Sequence, residues 1–370
     1  MGTPIRKMNL KGYKSIRLLE DFELTDVNVL IGANGCGKSN FVSFFHFLRE
    51  LVEGRLEKAV NKAGGADKQL YLGPKVTEKI EASLEFGANG YAFTLEPTAD
   101  NRLIFDDERI LYYADPGMRT TSVDKSIGVG HSESKLKDHA KGGFSHAIAE
   151  YVYDAVSSWT VYHVHDTSET AMMRRPCSVD DTERLRPHAE NLGAFLNWLY
   201  TEEKKTYRLI VAAIKQVAPV FKEFKFRPKK QKDGPVIQLD WLQEGSDYTF
   251  HPSQLSDGTI RFIALATALL QPYPPATVLI DEPELGLHPF ALEILAGLVK
   301  SARARCQLIL ATQSAAFLDY FEPENVVVVK SGANGSEFHR LDAANLESWR
   351  EKYSLGEIWE KNVVGGGPYG

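Results

Sequence analysis

The chain has 370 residues, of which 43% are hydrophobic and 25% are charged, and its formal net charge at pH 7 is -6. This composition excludes global disorder and an overall polycation, so contact with nucleic acid would need a local basic patch. Three widely spaced cysteines, Cys36, Cys177 and Cys306, indicate neither a disulfide framework nor a zinc ribbon. No apolar run is long enough to cross a bilayer and the N-terminus lacks a signal-peptide pattern, so we expect a cytoplasmic protein.

The first third of the chain has the patterns of several strands and one helix. Apolar residues at helical spacing predict a helix over 40–52, and we interpret the polar stretch 58–72 as a loop or insertion. The segment 115–143 is rich in Gly, Ser, Lys and Asp and is predicted to be a mobile excursion. Alternating or continuous apolar runs predict strands over 5–10, 13–19, 27–31, 80–84, 91–95 and 111–114.

The remainder of the chain alternates between helices and strands. A helix followed by a strand is predicted over 202–226, and because its apolar repeat is shorter than four heptads, a packed helix is favoured over a coiled coil. The C-terminal third has the β-α-β-α order of a parallel sheet with helices on its faces, and the end 365–370 is predicted to be disordered. Strands are predicted over 236–242, 248–250, 277–280, 307–311 and 326–329, and helices over 260–270, 290–304 and 315–321.

A glycine-rich motif follows the predicted buried strand at 27–31 and fits the phosphate-loop pattern G-x-x-x-x-G-K-[ST]. Glycines let backbone N–H groups approach phosphate oxygens, and the following helix directs its positive end at the same anion. Lys38 would neutralise the β- and γ-phosphates, and the hydroxyl of Ser39 would ligate Mg²⁺. The predicted nucleotide-binding residues of this loop are Gly32, Ala33, Asn34, Gly35, Cys36, Gly37, Lys38, Ser39 and Asn40.

Two carboxylates, Asp281 and Glu282, end the predicted apolar strand at 277–280. Asp281 is predicted to hold Mg²⁺, and Glu282 to accept a proton from an attacking water. The alternative is a solvated strand terminus. About twenty residues earlier, Ser256 and Gly258 lie at the start of a predicted helix. They could serve as a helix cap alone, or they could also allow an anion to approach the helix closely.

In this order the motifs resemble those of ABC-type ATPases, above all the compact RecF/SMC-like group of ATPases that occurs in DNA repair and anti-phage defence. The segments on which this resemblance rests are Lys14-Ser15, the loop 32–39, the signature segment 255–259 and the acidic block 281–289. The resemblance implies an α/β P-loop NTPase fold, an ABC/SMC-type head with a mixed β lobe and a parallel-sheet core flanked by helices. It implies a single head over 1–370, made of a P-loop lobe 1–114, an insertion or loop 115–150, a helical and signature lobe 151–270, a Walker B and switch core 271–345 and a tail 346–370.

The resemblance also implies a function, in which two heads sandwich two ATP molecules with Mg²⁺. Ser256 and Gly258 of one copy would contact the γ-phosphate held by Lys38 of the other, and 285–288 would cross the interface. Gln313 stands where ABC proteins carry a switch histidine and is expected to act in catalysis with Glu282. Because an amide cannot change charge, ATP hydrolysis is expected to be slow or stimulated by a partner.

The expected function is therefore an ATP-hydrolysing, dimerising switch that acts on DNA or controls a separate effector such as a nuclease or toxin. Three alternatives stay open: the ATPase subunit of a membrane transporter, a non-catalytic scaffold that senses ATP, and a simple P-loop kinase. Negligible phosphate release by a well-folded dimer would favour the scaffold, and co-purification with an integral membrane protein would favour the transporter.

Weaker signals lie between these motifs. His163 and His165 could begin a metal site, although structural histidines are favoured, and two arginine pairs, 174–175 and 184–186, are interpreted as surface charge rather than lid cations. A basic segment is interpreted as a charged hairpin tip, with phosphate contact to DNA or RNA as the alternative. Its cations are Lys222, Lys225, Arg227, Lys229, Lys230 and Lys232.

Overall fold

The computed structural model describes residues 3–115, 120–142, 146–232 and 234–367. Strands in these ranges form two six-stranded and two three-stranded sheets. In chain order the strands are β1 (Lys7–Tyr13), β2 (Ile16–Glu23), β3 (Val27–Ile31), β4 (Ile80–Phe86), β5 (Asn89–Pro97), β6 (Leu103–Asp115), β7 (Thr120–Gly128), β8 (Thr160–Tyr162), β9 (Cys177–Ser178), β10 (Phe221–Lys225), β11 (Lys229–Gln231), β12 (Gly234–Ile237), β13 (Asp240–Gln243), β14 (Thr249–Phe250), β15 (Thr277–Asp281), β16 (Gln307–Thr312), β17 (Val326–Gly332) and β18 (Gly335–Arg340).

Helices cover the sheets and include those predicted at 40–52, 260–270 and 290–304. None of the helices in the described ranges has the length and apolar composition that a membrane crossing requires. In chain order they are α1 (Lys38–Val52), α2 (Leu56–Lys62), α3 (Leu136–His139), α4 (His146–Ser158), α5 (Leu192–Thr201), α6 (Lys204–Val217), α7 (Asp257–Leu270), α8 (Pro289–Ala302), α9 (Ala315–Leu318), α10 (Ala343–Arg350) and α11 (Leu355–Glu360).

A core sheet runs in the order β18-β17-β3-β16-β15-β8. The pairings from β17 to β8 are parallel, and only β18 is added antiparallel among the described strands. Every residue of β3 and β16 is buried, as expected when both faces of a parallel sheet are covered. Since β3 comes from the start of the chain and β16 and β17 from its last third, the two parts of the chain meet in this one sheet.

The two faces of the core sheet pack into two different apolar clusters. Leu279 and Ile309 belong to the cluster that contains α1, α4 and the second large sheet. Val278 and Leu308 belong to the cluster built with α5 to α8. Alternate residues of a strand point to opposite faces, so each core strand contributes to both clusters.

The second large sheet is antiparallel and runs in the order β2-β1-β4-β5-β6-β7. The aromatic face of α1 packs against it, with the Tyr13 and Phe44 rings in edge contact at 5.3 Å. The strands predicted over 80–84 and 91–95 are confirmed as β4 and β5, which pair antiparallel. The mixed β lobe and the parallel core therefore enclose α1, which follows the phosphate loop.

Two segments predicted as loops are more ordered than expected. The stretch 58–72 contains most of α2, because Leu56 and Val60 lie four residues apart and bury one helical face. The predicted excursion 115–143 contributes β7, which pairs with β6, and α3, while 116–119 and 143 lie outside the described residues. An ion pair between Arg109 and Asp124 at 2.6 Å joins β6 to β7. Because β7 is mostly polar and lies at a sheet edge, its pattern resembles that of a loop. The described part of 115–150, the expected insertion or loop, contains β7, α3 and the start of α4.

Other boundaries also differ from the prediction. The strand expected at 111–114 is the end of the long β6, which contains the buried Glu108 and therefore lacks a continuous apolar pattern. The strand expected at 236–242 is divided between β12 and β13, which belong to different sheets. In the tail 346–370, α11 is packed, and Trp359 Nε1 donates to the Gly366 carbonyl at 3.0 Å. Predicted disorder at 365–370 is thus wrong for 365–367, and 368–370 lie outside the described residues.

Candidate functional site

The predicted phosphate loop joins the end of β3 to the start of α1. Gly37 precedes the helix with φ 115°, a conformation that favours glycine. A Cβ on Gly32 would collide with the Val329 carbonyl oxygen, and one on Gly37 would collide with the Ser336 hydroxyl. The packing of β17 and β18 against the loop therefore requires glycine at both positions.

The ammonium group of Lys38 lies inside the loop. Its Nζ donates to the carbonyl oxygens of Gly32 at 2.6 Å and Ala33 at 3.0 Å, and it lies 3.8 Å from the sulfur of Cys36. The Lys38 side chain is buried without a carboxylate partner among the described residues. A buried cation that donates only to carbonyl oxygens and makes no salt bridge with a described carboxylate is suited to receive an anion.

The Lys14-Ser15 segment supports the loop from the second sheet. Asn40 Nδ2 donates to Ser15 Oγ at 2.8 Å, and Ser336 Oγ donates to the same oxygen at 2.8 Å. Lys14 has φ 48°, and its Nζ donates to Ser43 Oγ of α1 at 2.9 Å. The exposed positions of the loop are Asn34, Gly35 and Ser39.

Strand register brings the acidic pair to the same edge as the loop. Asp281 pairs with Ala311 of β16, and Thr312 of β16 pairs with Ile31 of β3. The three strands are parallel neighbours, so their carboxyl ends meet at one edge of the core sheet.

Asp281 is electrostatically linked to the phosphate loop. Burial raises the pKa of its carboxyl group, and the nearby His165, the Ser39 hydroxyl and the Lys38 ammonium oppose that rise. The carboxyl group of Asp281 therefore shares its surroundings with the two loop residues predicted to hold Mg²⁺ and phosphate.

Gln313 connects two carboxylates of the acidic block. Its Nε2 donates to Glu282 Oε1 at 2.7 Å, and its backbone N–H donates to Glu284 Oε1 at 3.0 Å. The same Glu284 oxygen accepts from Thr312 Oγ1 at 2.6 Å. Glu282 has φ 45°, a left-handed backbone conformation uncommon for a side chain of its size. The local geometry fixes the direction of the Glu282 carboxylate.

The structure places His165 at the candidate site, a position that the sequence analysis did not predict for it. Its Nδ1 lies 4.0 Å from Glu282 Oε2, just past the end of the edge strand β8 at Tyr162. No cluster of metal-ligating side chains includes it within the described ranges, so the geometry gives no support to a metal site begun by His163 and His165. The available signal was its place after a short apolar strand, which is comparable to the place of Asp281 at the end of β15.

The predicted signature segment opens α7. The Ser256 hydroxyl accepts from the Thr259 backbone N–H at 3.2 Å, as a helix N-cap does, and its side chain is exposed. A Cβ on Gly258 would lie 2.6 Å from the Gly286 carbonyl oxygen, so the signature helix and the segment 285–288 are in close contact. Within the described residues, no hydrogen bond or ion pair connects this segment to the phosphate loop.

Arg261 of α7 joins three parts of the site. Its guanidinium donates to the carbonyl oxygens of Val164 at 2.9 Å and His165 at 2.7 Å, and also to that of Leu285. The side chain is buried among these carbonyls. The signature helix, the segment after β8 and the acidic block are thereby fixed to one another.

Arg174 is a buried residue, and its assignment to the surface is wrong. It forms an ion pair with Asp257 Oδ1 at 2.9 Å and donates to the carbonyl oxygens of Leu255 at 3.0 Å and Pro252. The neighbouring Arg175 is exposed. The distance of more than 80 residues between Arg174 and the signature segment hides this contact from sequence patterns.

The basic segment 222–232 is not a single hairpin. Its first half forms β10, which pairs with β13, and its second half forms β11, which pairs with β12 in another sheet. Lys229, Lys230 and Lys232 are exposed. Of the second arginine pair, Arg184 is exposed and Arg186 pairs with Asp181 at 3.0 Å.

Comparisons with known proteins agree with this architecture. The family described as "AAA domain, putative AbiEii toxin, Type IV TA system" matches residues 27–319. A Smc head bound to the C-terminal winged-helix domain of ScpA is similar, with TM-score 0.59 and 14% identity over 93% of this chain and 99% of that one. The Pyrococcus furiosus Smc head with an extended coiled coil, bound to the C-terminal domain of ScpA, gives TM-score 0.57 and 15% identity over 94% and 99%. No curated protein matches the sequence. The chain belongs to this AAA-domain family, and its fold is that of an SMC-type P-loop ATPase head.

Proposed function

We propose that the chain binds ATP with Mg²⁺ and hydrolyses the terminal phosphate at the edge where β3, β16 and β15 end. The observation that carries this proposal is the meeting of the phosphate loop and the acidic block there. Asp281 shares its surroundings with Ser39 and Lys38, while Gln313 holds Glu282 beside them.

The residues at this edge of the core sheet fit both ATP and Mg²⁺. The glycine backbone of the loop offers unobstructed N–H groups, and the Lys38 ammonium would exchange its carbonyl partners for phosphate oxygens. Oxygen ligands are those that Mg²⁺ prefers, and Ser39 and Asp281 would supply them. When bound, the metal would neutralise charge on the phosphates.

Glu282 is the proposed general base. Gln313 occupies its Oε1, which leaves Oε2 to accept a proton from water. Gln313 thus acts as a positioning residue whose amide keeps the carboxylate pointed in one direction. Since neither group provides a mobile positive charge in the way a switch histidine does, slow or partner-stimulated turnover is part of the proposal.

Closure of two copies around ATP is the second part of the proposal. The exposed Ser256 hydroxyl at the start of α7 and the adjoining Gly258 would complete the nucleotide site of a partner copy. Gly258 is packed against Gly286, so the signature segment and 285–288 would approach the partner together. In such an arrangement ATP favours the dimer by mass action, and hydrolysis releases it.

The test is Glu282→Gln, with Glu293→Gln on the exposed face of α8 as the matched control. In saturating ATP and Mg²⁺, Glu282→Gln should lower the rate of phosphate release by about a hundredfold or more. The variant should also accumulate as a dimer, which light scattering would detect. A variant that stays monomeric would overturn the sandwich. A dimerising wild-type chain that releases no phosphate would instead favour a non-catalytic ATP-sensing scaffold.

We further propose that closure controls a separate effector, such as a nuclease or toxin, or a DNA strand. The similar Smc heads are bound to domains of ScpA, which supports a separate protein partner. Affinity purification of Glu282→Gln with and without ATP should retain that partner only with ATP. For DNA, changing Lys229, Lys230 and Lys232 to Glu should lower retention at low salt, and unchanged retention would remove this patch from the proposal.

A further inference from the structure

A cleft of about 770 Å³ adjoins the candidate site and is lined by none of the phosphate-loop residues. It lies between α1, the segment after β8 and the segment 184–190. Arg49 of α1 lies eleven residues beyond Lys38, which corresponds to about 16 Å along a helix. The volume suits a ligand of nucleotide size. The cleft is thus a second concave space, separate from the phosphate loop.

Two guanidinium groups in this cleft, those of Arg49 and Arg184, are not in a salt bridge with any described carboxylate. Within the described residues, no hydrogen bond or ion pair reaches either side chain, and Arg49 Nε is buried. Burial and the neighbouring Arg184 guanidinium lower the pKa of Arg49, and the nearby Glu50 and Glu53 carboxylates only partly oppose that shift. A desolvated cation beside a like charge is unfavourable unless an anion joins them.

The acidic residues of the cleft are already engaged. Glu50 accepts two hydrogen bonds at 2.8 Å from Arg55. Asp166 accepts from Ser168, and Glu190 accepts from the backbone N–H of His188 at 2.9 Å. Because other donors hold these carboxylates, an anion that bridges Arg49 and Arg184 would come from outside this set of side chains.

Stacked imidazoles form another wall. The rings of His163 and His188 are stacked with centroids 5.6 Å apart, and burial lowers the pKa of His163 to about 4. At neutral pH the His163 ring is therefore uncharged and offers a flat surface of the kind that stacks with bases. The cleft combines cations for phosphate with planar rings for a base.

We propose that this cleft binds a phosphate-bearing ligand of nucleotide size, with Arg49 and Arg184 on the phosphate and the His163–His188 stack against the base. The shared chemistry is a nucleoside phosphate, which is available as a free nucleotide or at the 5′ end of a nucleic-acid strand. His165 lines the same cleft and lies 4.0 Å from Glu282, so the ligand would bind next to the candidate general base.

The test measures ligand binding by the full chain in a Lys38→Ala background, which removes the proposed ATP site from the measurement. The probes are thymidine 5′-monophosphate and a 5′-phosphorylated oligothymidylate of about ten nucleotides. Arg49→Gln combined with Arg184→Gln should weaken binding at least about tenfold, and Arg208→Gln combined with Arg303→Gln, on exposed helix positions, should not. Tighter binding of the oligonucleotide would identify a strand end, and equal binding a free nucleotide.

Arg184→Gln alone guards against a folding defect, because this exposed side chain supports no described contact. It should weaken binding several-fold while the thermal midpoint stays unchanged. Binding of neither probe at millimolar concentration, or equal affinity in the cleft and control variants, would overturn the proposal. Either result is independent of ATP hydrolysis, since Lys38 is absent throughout.

Discussion

Gln313 lies between two carboxylates, and this single amide determines where the proposed general base points. Its backbone is held by Glu284, and its side chain holds Glu282, whose own backbone has a left-handed φ of 45°. Burial raises the pKa of the Glu284 carboxyl group, whose Oε1 accepts from both the Gln313 backbone N–H and the Thr312 hydroxyl. Glu284 thus holds Gln313 in place, and Gln313 sets the direction of the Glu282 carboxylate.

Gln313→Ala should lower kcat for ATP hydrolysis by about tenfold to a hundredfold and leave the affinity for ATP nearly unchanged, because the amide contacts the base rather than the phosphate loop. Steady-state phosphate release and nucleotide titration measure the two quantities. Gln231→Ala, at an exposed position of β11, is the matched control. An unchanged kcat would contradict the positioning role.

At the scale of elements, two buried arginines hold the signature helix. Arg174 binds the turn before α7 and pairs with Asp257, and Arg261 binds the segment after β8 and the acidic block. Both guanidinium groups bind backbone carbonyl oxygens that lie outside the α-helices and strands. They therefore stabilise irregular segments that would otherwise leave buried polar groups unpaired.

Arg174→Ala should reduce the free energy of unfolding by about 1–3 kcal/mol, because it removes the donor from the carbonyl oxygens of Thr167 and Leu255 and one of the donors from that of Pro252. Asp257 is largely exposed, so its lost ion pair adds little. The matched control is Arg175→Ala at the adjacent exposed residue. Its free energy of unfolding should lie within about 0.5 kcal/mol of that of the wild type. Urea unfolding measures both, and equal stability of the two variants would contradict the role assigned to Arg174.

At the scale of the whole molecule, sequence patterns predicted the features that depend on residues close together in the chain. The phosphate loop, the acidic strand end and the C-terminal β-α alternation depend on short-range spacing, and the parallel core confirms that alternation. The contacts of His165, Arg174 and Arg261 at the site were not predicted, because their partners lie 24 to more than 100 residues away along the chain. The edge strand β7 was not predicted, because its mostly polar sequence lacks the alternation of apolar residues that identifies strands.

The sharing of one core sheet by two apolar clusters predicts cooperative unfolding of the whole head. Leu279 faces the α1 cluster and Leu310 faces the helical cluster, and both are fully buried. Leu279→Ala and Leu310→Ala should each lower the free energy of unfolding by about 2–5 kcal/mol. Both should shift the same single unfolding transition to a lower urea concentration. Far-UV circular dichroism and tryptophan fluorescence should coincide, because Trp159 and Trp359 report on different clusters. If Leu279→Ala shifted one of two separate transitions, the clusters would be independent units, and the strands they share would not transmit stability between them.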